Sequence, residues 1–372
     1  MRPRLGSRLV FLLLGLVLAG AAAGIMGVSS VAAAESTSAV DSREIERRLA
    51  LPPFAYVAET DYDIAKLQKN LNGYTGVAAF IDSATDALVA RPTGGTSPQG
   101  VAVSPGGSRF YVTDAYEAVL HVFDAETRQE LLKIPLPGVE ARDFTWMVGA
   151  FQSEGGTFPY VMMRSSASGV ACTPDGSLVL VCSSAGLQVV DAVTNQVVRT
   201  LPNLAGGSLA VSFDGKRAYV ACDTFDKLAP RTFLDWVKVI MTSKECRLVC
   251  IDLETWQILG EIPTGIVAGI AVKPDDSQVF FSETYEKRVR VVDALSLDDL
   301  WDVSTQPSYS VGIGFLPNGT KAYVVCSADN GVLESMAEGQ TVPSLPTAEE
   351  FFCAVIDTAG EEIVKRIPLE AY

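Results

Sequence analysis

Near-copies of one strand–turn–strand unit, six recurrences of an aspartate turn, and a spacing of about 42 residues between them together predict an all-β fold. The predicted architecture is a β-propeller of about six four-stranded blades (seven possible), with loop insertions on one face. Each strand, turn and insertion follows from these observations.

The repeat comes first. Pro98 to Asp114 reads PQGVAVSPGGSRFYVTD, Gly169 to Cys182 reads GVACTPDGSLVLVC, and Ser208 to Cys222 reads SLAVSFDGKRAYVAC. Gly269 to Ser282 (GIAVKPDDSQVFFS) and Gly312 to Cys326 (GIGFLPNGTKAYVVC) follow the same plan. Each is an apolar strand, a Pro/Asp/Gly turn and a second apolar strand. Pro presets φ, Asp or Asn folds onto its own backbone, and Gly takes the positive φ that closes a hairpin.

A third strand then ends in aspartate, and an Asp-x-x-Thr turn or close variant leads into a fourth. These aspartates are Asp82, Asp124, Asp191, Asp252, Asp293 and Asp357, at spacings of 42, 67, 61, 41 and 64 residues. Their carboxylates are expected to accept backbone N–H groups of the turn, a structural role. A period near 42 residues with four strands is the size of a propeller blade, and additions of about 20 to 25 residues account for the longer intervals.

With these residues quoted, a resemblance can be stated: Pro98 to Asp114 is similar to the YVTN-type β-propeller repeat, with Gly106 in place of its Asp and Asp114 in place of its final Asn. The resemblance extends over most of residues 54 to 369. It implies an exported propeller and leaves its role open, because such folds host varied functions. Propellers resembling this one include lactonase-like hydrolases and quinoprotein dehydrogenase subunits.

The first copy offers a second strand at Phe54 to Thr60, a third at Gly76 to Asp82 and a fourth at Leu88 to Pro92, with no clear inner strand before them. Asp41 to Leu51 reads instead as a helix, opened by Asp41 with Glu44 three residues on and closed by Pro52-Pro53. Ring closure stays open, and Val139 to Ser166 is a candidate source of missing strands.

Residues 1–34 read as a secretory signal. Arg2, Arg4 and Arg8 precede an apolar stretch from Leu9 to Leu18, and Ala32-Ala33-Ala34 offers a cleavage site before Glu35. An uncleaved anchor is the alternative, since Leu9 to Ala34 is long enough to span a bilayer. The expected domains are residues 1–34 as signal peptide, 35–53 as a partly helical extension and 54–372 as the propeller. The expected location is periplasmic or extracellular, with no membrane insertion after cleavage.

Removing three arginines from 29 basic residues leaves 26 against 44 acidic ones, a formal charge of −18. That field repels phosphate backbones, so nucleic acid is excluded as a partner class.

The additions lie at Asp61 to Tyr74, Thr224 to Glu245 and Asp329 to Glu350, between strands two and three, and at Val139 to Ser166 between blades. In an up-and-down blade both kinds of connection emerge on the same face, where loops carry function. Phe233, Trp236, Val237, Ile240 and Met241 form one stripe of a helix predicted over Pro230 to Glu245. Phe144, Trp146, Phe151 and Tyr160 are the aromatic candidates of the inter-blade addition, and with Phe233 and Trp236 they are the candidate binding residues.

No catalytic residue and no metal ligand set is assigned. His121 is the single histidine, which rules out a His-rich zinc site, and its counterparts Gln188, Val249, Arg290 and Ala354 suggest an outer, half-exposed position. No glycine-rich phosphate loop is present, and no cofactor is indicated. Among seven cysteines, Cys326 and Cys353 are expected to face each other across strands two and three and to form a disulfide. The resulting reading is an exported propeller binding a protein, peptide or small-molecule ligand on its insertion-bearing face. A propeller enzyme or enzyme subunit is the alternative.

Overall fold

A computed structural model describes residues 54–62, 74–82, 87–90, 93–96, 98–115, 117–139, 147–153, 156–162, 167–222, 246–316, 318–327 and 352–368. Among them the regular structure is entirely β, and the fold is a β-propeller. Five blades each consist of four antiparallel strands paired in chain order.

The first sheet holds β1 (Phe54–Tyr62), β2 (Tyr74–Asp82), β3 (Ala87–Ala90) and β4 (Thr93–Gly95). Blade two holds β5 (Pro98–Val103), β6 (Arg109–Asp114), β7 (Val119–Asp124) and β8 (Glu130–Pro135). A hairpin follows, β9 (Met147–Ser153) with β10 (Gly156–Met162). Blade three holds β11 (Ala167–Cys172), β12 (Leu178–Ser183), β13 (Gly186–Asp191) and β14 (Gln196–Leu201). Blade four holds β15 (Gly206–Val211), β16 (Arg217–Cys222), β17 (Cys246–Asp252) and β18 (Ile258–Thr264). Blade five holds β19 (Val267–Val272), β20 (Gln278–Glu283), β21 (Arg288–Asp293) and β22 (Asp299–Ser304). Blade six holds β23 (Tyr309–Phe315), β24 (Lys321–Ser327), β25 (Phe352–Asp357) and β26 (Glu362–Pro368).

The first strands β5, β11, β15, β19 and β23 pack side by side in that order. Glycine is required where they come closest: a Cβ on Gly100 would fall 2.4 Å from the Ser168 carbonyl oxygen, and one on Gly269 2.6 Å from that of Val311. In the first sheet β3 and β4 both pair with β2, as two pieces of one interrupted outer strand. β1 and β2 therefore take the second and third places, β1 packs on β5, and no inner strand of that sheet is present among the described residues. The β9–β10 hairpin forms a sheet of its own and pairs with no blade.

Strand alternation sends successive side chains to opposite neighbours, so each core lies between blades rather than within one. On β12, Val179 and Val181 join Tyr111, Leu120 and Val122 of blade two, while Leu180 and Cys182 join Val220, Val249 and Ile251 of blade four. On β20, Val279 and Phe281 face blade four, and Phe280 faces Val324 and Ile356 of blade six. A blade without its neighbour would expose both apolar faces.

The turns carry the rest of the local logic. Between strands one and two, Gly107, Gly176, Gly215 and Gly319 take positive φ, with Asp276 in the same place in blade five. Between strands three and four, Asp124 Oδ1 accepts the N–H of Glu126 at 3.0 Å and of Thr127 at 2.7 Å, and the Thr127 hydroxyl at 2.9 Å. Asp191 and Asp252 repeat this pattern with Thr194 and Thr255. Asp293 accepts the N–H groups of Leu295 and Ser296, and Asp357 that of Ala359. In all five turns the residue four after the aspartate is left-handed without being glycine: Arg128, Asn195, Trp256, Leu297 and Glu361.

The register corrects one expectation. Cys326 pairs with Phe352, and Cys353 pairs with Val325. Blade two has the equivalent register, Asp114 at the place of Cys326 pairing with Val119, five residues before the turn aspartate, as Phe352 lies five before Asp357. A slip of one reverses the face of every side chain, so Cys326 and Cys353 point to opposite sides of the sheet and both are free thiols. Burial pushes the Cys326 thiol up to about 12.

Candidate functional site

The antiparallel order puts the ends of strands two and the ends of strands four on one face. Hydrogen bonds tie these ends together: Leu136 N–H to the Ala118 carbonyl at 3.1 Å, and Thr305 N–H to that of Lys287 at 2.8 Å. The insertions at 63–73, 223–245 and 328–351 leave from this face, because they follow β1, β16 and β24 and precede β2, β17 and β25. They lie outside the described residues, as do Phe144, Trp146, Phe233, Trp236 and the helices expected at Asp41 to Leu51 and Pro230 to Glu245. Phe151 is placed on β9, paired with Phe158, and Tyr160 on β10, paired with Gly149.

On this same face, the four-residue turn joining β6 to β7 gathers three groups with metal-ligating chemistry. Asp114 ends β6, Glu117 sits in the turn, and His121 is the third residue of β7; one ligand atom from each lies within 4.8 Å of the others. Asp114 is fully buried and His121 is 1% exposed, which overturns the half-exposed position inferred from its counterparts. The position is buried in other blades too, Gln188, Val249 and Ala354 being fully buried, and in blade two Gly95 at the end of β4 lies directly over the imidazole. A Cβ on Gly95 would fall 2.3 Å from Asp114 Oδ2 and 2.6 Å from His121 Nε2.

Asp114 Oδ1 accepts the Glu117 N–H at 2.7 Å, and Oδ2 accepts the Thr96 N–H at 2.5 Å. Glu117 accepts the Thr96 hydroxyl at 2.8 Å on Oε1, and Lys133 Nζ approaches Oε2 at 2.5 Å. His121 Nδ1 lies 2.5 Å from Glu130 Oε1. Its Nε2 stands 3.5 Å from Asp114 Oδ2, an approach without hydrogen-bond geometry, and this buried nitrogen has no hydrogen-bond partner among the described residues. Burial opposes the charged imidazole, but Asp114 and Glu130 on its two sides outweigh that and raise its pKa above the ordinary value.

Blade five repeats the frame with different side chains. Asp114-Ala115-Tyr116-Glu117-Ala118 of blade two corresponds to Glu283-Thr284-Tyr285-Glu286-Lys287, and Ala118 and Lys287 are both left-handed. Gly265 N–H bonds Glu283 Oε1 at 3.1 Å, as Thr96 N–H bonds Asp114. Arg290 takes the place of His121 and Asp299 that of Glu130. Arg290 reaches both acids, bonding Asp299 at 2.5 and 2.8 Å and Glu283 at 3.3 Å, and Arg288 adds a bond to Glu283 at 2.6 Å. In blade three Gln188 stands there and donates to Ser183 Oγ at 3.3 Å and the Pro137 carbonyl at 2.9 Å.

The sequence carried one signal of this cluster that its repeat pattern obscured. Asp114 replaces the expected Asn at the end of the second strand, followed at three and seven residues by Glu117 and His121.

No protein-family model and no curated protein matches the sequence. Among solved structures the chain is similar to hydrazine synthase of Kuenenia stuttgartiensis, at 14% identity over 80% of this chain and 92% of that chain, with a TM-score of 0.49. That degree of likeness carries no argument about this chain's activity, and the assignment as a β-propeller rests on its own consecutively paired four-stranded sheets.

Proposed function

We propose that the protein is an exported β-propeller of the YVTN-repeat type that binds a protein, peptide or small ligand on the face from which its insertions leave. The observation that carries this reading is the asymmetry between the two faces. One receives every interruption between strands two and three and the buried polar frames of blades two and five. The other is closed by short turns of repeated design, bonded to themselves. Rigid scaffolds that vary on one side and repeat on the other carry recognition on the varied side.

The test is a pair of variants of the secreted protein. In the first, residues 63–73, 223–245 and 328–351 are each replaced by a two-residue turn like Ser184-Ala185 of blade three, whose flanking Ser183 and Gly186 already pair. In the second, the opposite face is altered at Asp191 and Asp252. Capture of exported proteins and metabolites from the native cell, quantified against both, is expected to fall only with the first variant. Binding that survives trimming, or that is lost with the second variant while its melting temperature holds, contradicts the proposal.

A further inference from the structure

We infer that Asp114, Glu117 and His121 form a binding site for one divalent transition cation of the zinc class, built into blade two beneath Gly95. This goes beyond the binding face proposed above and does not depend on it.

The first argument is the orphaned nitrogen. Glu130 engages Nδ1, and Nε2 on the far side of the ring is buried with no hydrogen-bond partner among the described residues; in the neutral tautomer that donates Nδ1–H to Glu130, the one a metal would select, this atom carries the lone pair. A buried acceptor left without a donor is costly, and native proteins seldom retain one without a use. A carboxylate on the far ring nitrogen is also the usual arrangement around a metal-bound histidine, where it fixes the tautomer and raises ligand basicity.

The second argument is geometric. Nε2 and Asp114 Oδ2 are 3.5 Å apart. An ion at about 2.1 Å from both would see them at about 113°, near the tetrahedral angle zinc prefers. The two oxygens of Glu117 can each accept twice, so the bonds from the Thr96 hydroxyl and Lys133 do not exhaust them. Glu117 must close by about an ångström to join the other two, which the 4.8 Å spread of the group allows for a side chain 29% exposed. Its tie to Lys133 is solvent-screened and cheap to break. Water takes the fourth position on the side of Glu117.

The third argument comes from the other blades. Where Arg290 occupies the place of His121, its guanidinium spans the gap between Asp299 and Glu283 and, being a donor only, offers a cation no lone pair. Where Gln188 occupies it, the amide nitrogen bonds Ser183 and the Pro137 carbonyl. Blade two alone pairs a short aromatic base with two converging carboxylates. One imidazole nitrogen and two carboxylate oxygens suit zinc and its first-row neighbours rather than magnesium or calcium, which take oxygen ligands throughout.

The purified protein, stripped with chelator and desalted, is titrated with Co²⁺ and then Zn²⁺. One equivalent of cobalt is expected, with d–d absorption and no thiolate charge-transfer band, displaced by zinc, and zinc raises the melting temperature by several degrees. His121→Arg, which copies blade five, is expected to abolish this binding while keeping the melting temperature of the stripped protein. Glu130→Gln, which removes no ligand, weakens binding roughly 10- to 100-fold. Failure of the parent protein to retain either cation, a thiolate band, or undiminished binding in His121→Arg overturns the inference. Should His121→Arg not fold, Glu117→Gln takes its place with the same expected loss and the same contrary result.

Discussion

In blade five the guanidinium of Arg290 reaches both Asp299 and Glu283, whereas in blade two the imidazole of His121 reaches Glu130 and stops 3.5 Å short of Asp114. The backbone frame is the same: an acid at the end of the second strand held by an N–H from the blade connection, a four-residue turn with Glu at its third place, a base on the third strand, and an acid opening the fourth. The bases differ in kind rather than in number: blade five sets two guanidinium groups, Arg288 and Arg290, against Glu283, Glu286 and Asp299, while blade two sets Lys133 and one imidazole against Asp114, Glu117 and Glu130. The difference teaches that this position stabilises the blade when the base spans the gap, and leaves coordination chemistry unspent when it does not.

The largest effect that would sharpen this contrast is removal of the spanning group. Arg290→Ala strands Glu283, whose side chain is 2% exposed, and is expected to cost about 2 kcal/mol, tempered by the remaining bond from Arg288. Chemical denaturation reads it directly; a cost below about 0.5 kcal/mol would show that Arg290 is not the structural counterpart assumed here. Next, Gly95→Ala places a methyl group against Asp114 and His121 at a residue whose φ is +106°, and should destabilise blade two by about 2 kcal/mol. An unaffected melting curve would mean that the connection does not close over the site.

Both polar frames stand on turns common to all blades, and Asp293→Ala tests one of them. Loss of the two N–H bonds to Leu295 and Ser296 should cost about 1 kcal/mol while leaving cation binding at blade two unchanged. The same turns set an acid response. Backbone N–H groups of Thr127, Thr194, Thr255 and Ser296 hold Asp124, Asp191, Asp252 and Asp293 below the ordinary carboxylate pKa. Their folded values lie below their unfolded ones, so their contribution is fully present above about pH 4 and is lost as pH falls through the folded values. Thermal melts from about pH 5 to about pH 2 should show a falling midpoint, shallower in Asp293→Asn; a midpoint that rises on acidification contradicts the sign. The smallest expected effect is a gain: Glu361→Gly relieves an exposed left-handed residue with φ of 59° and should add up to about 1 kcal/mol.

The blades were legible in the sequence because their signals are local. Apolar alternation, Pro/Asp/Gly turns and Asp-x-x-Thr turns each occupy fewer than about ten residues and recur. The left-handed residue closing each aspartate turn escaped notice because it is Arg, Asn, Trp, Leu or Glu rather than glycine. Pairing register escaped too. Setting Cys353 opposite Cys326 misses the true partner, Phe352, by one residue, and alternation turns an error of one residue into an error of face. The site at His121 was invisible for a different reason. Its acids and imidazole are closed over by Gly95 at the end of β4 and by Thr96 just after it, both from the preceding sheet, and its contrast with Arg290 emerges only when two blades are superposed in register.

The most direct test of the contrast between blades two and five is anomalous diffraction at the zinc edge from crystals of the protein grown with one equivalent of Zn²⁺. A single anomalous peak about 2.1 Å from His121 Nε2 and from a carboxylate oxygen of Asp114, with none beside Glu283 and Arg290, is the predicted result. The absence of a peak at His121, or a peak at the blade-five frame or at a cysteine instead, would contradict it.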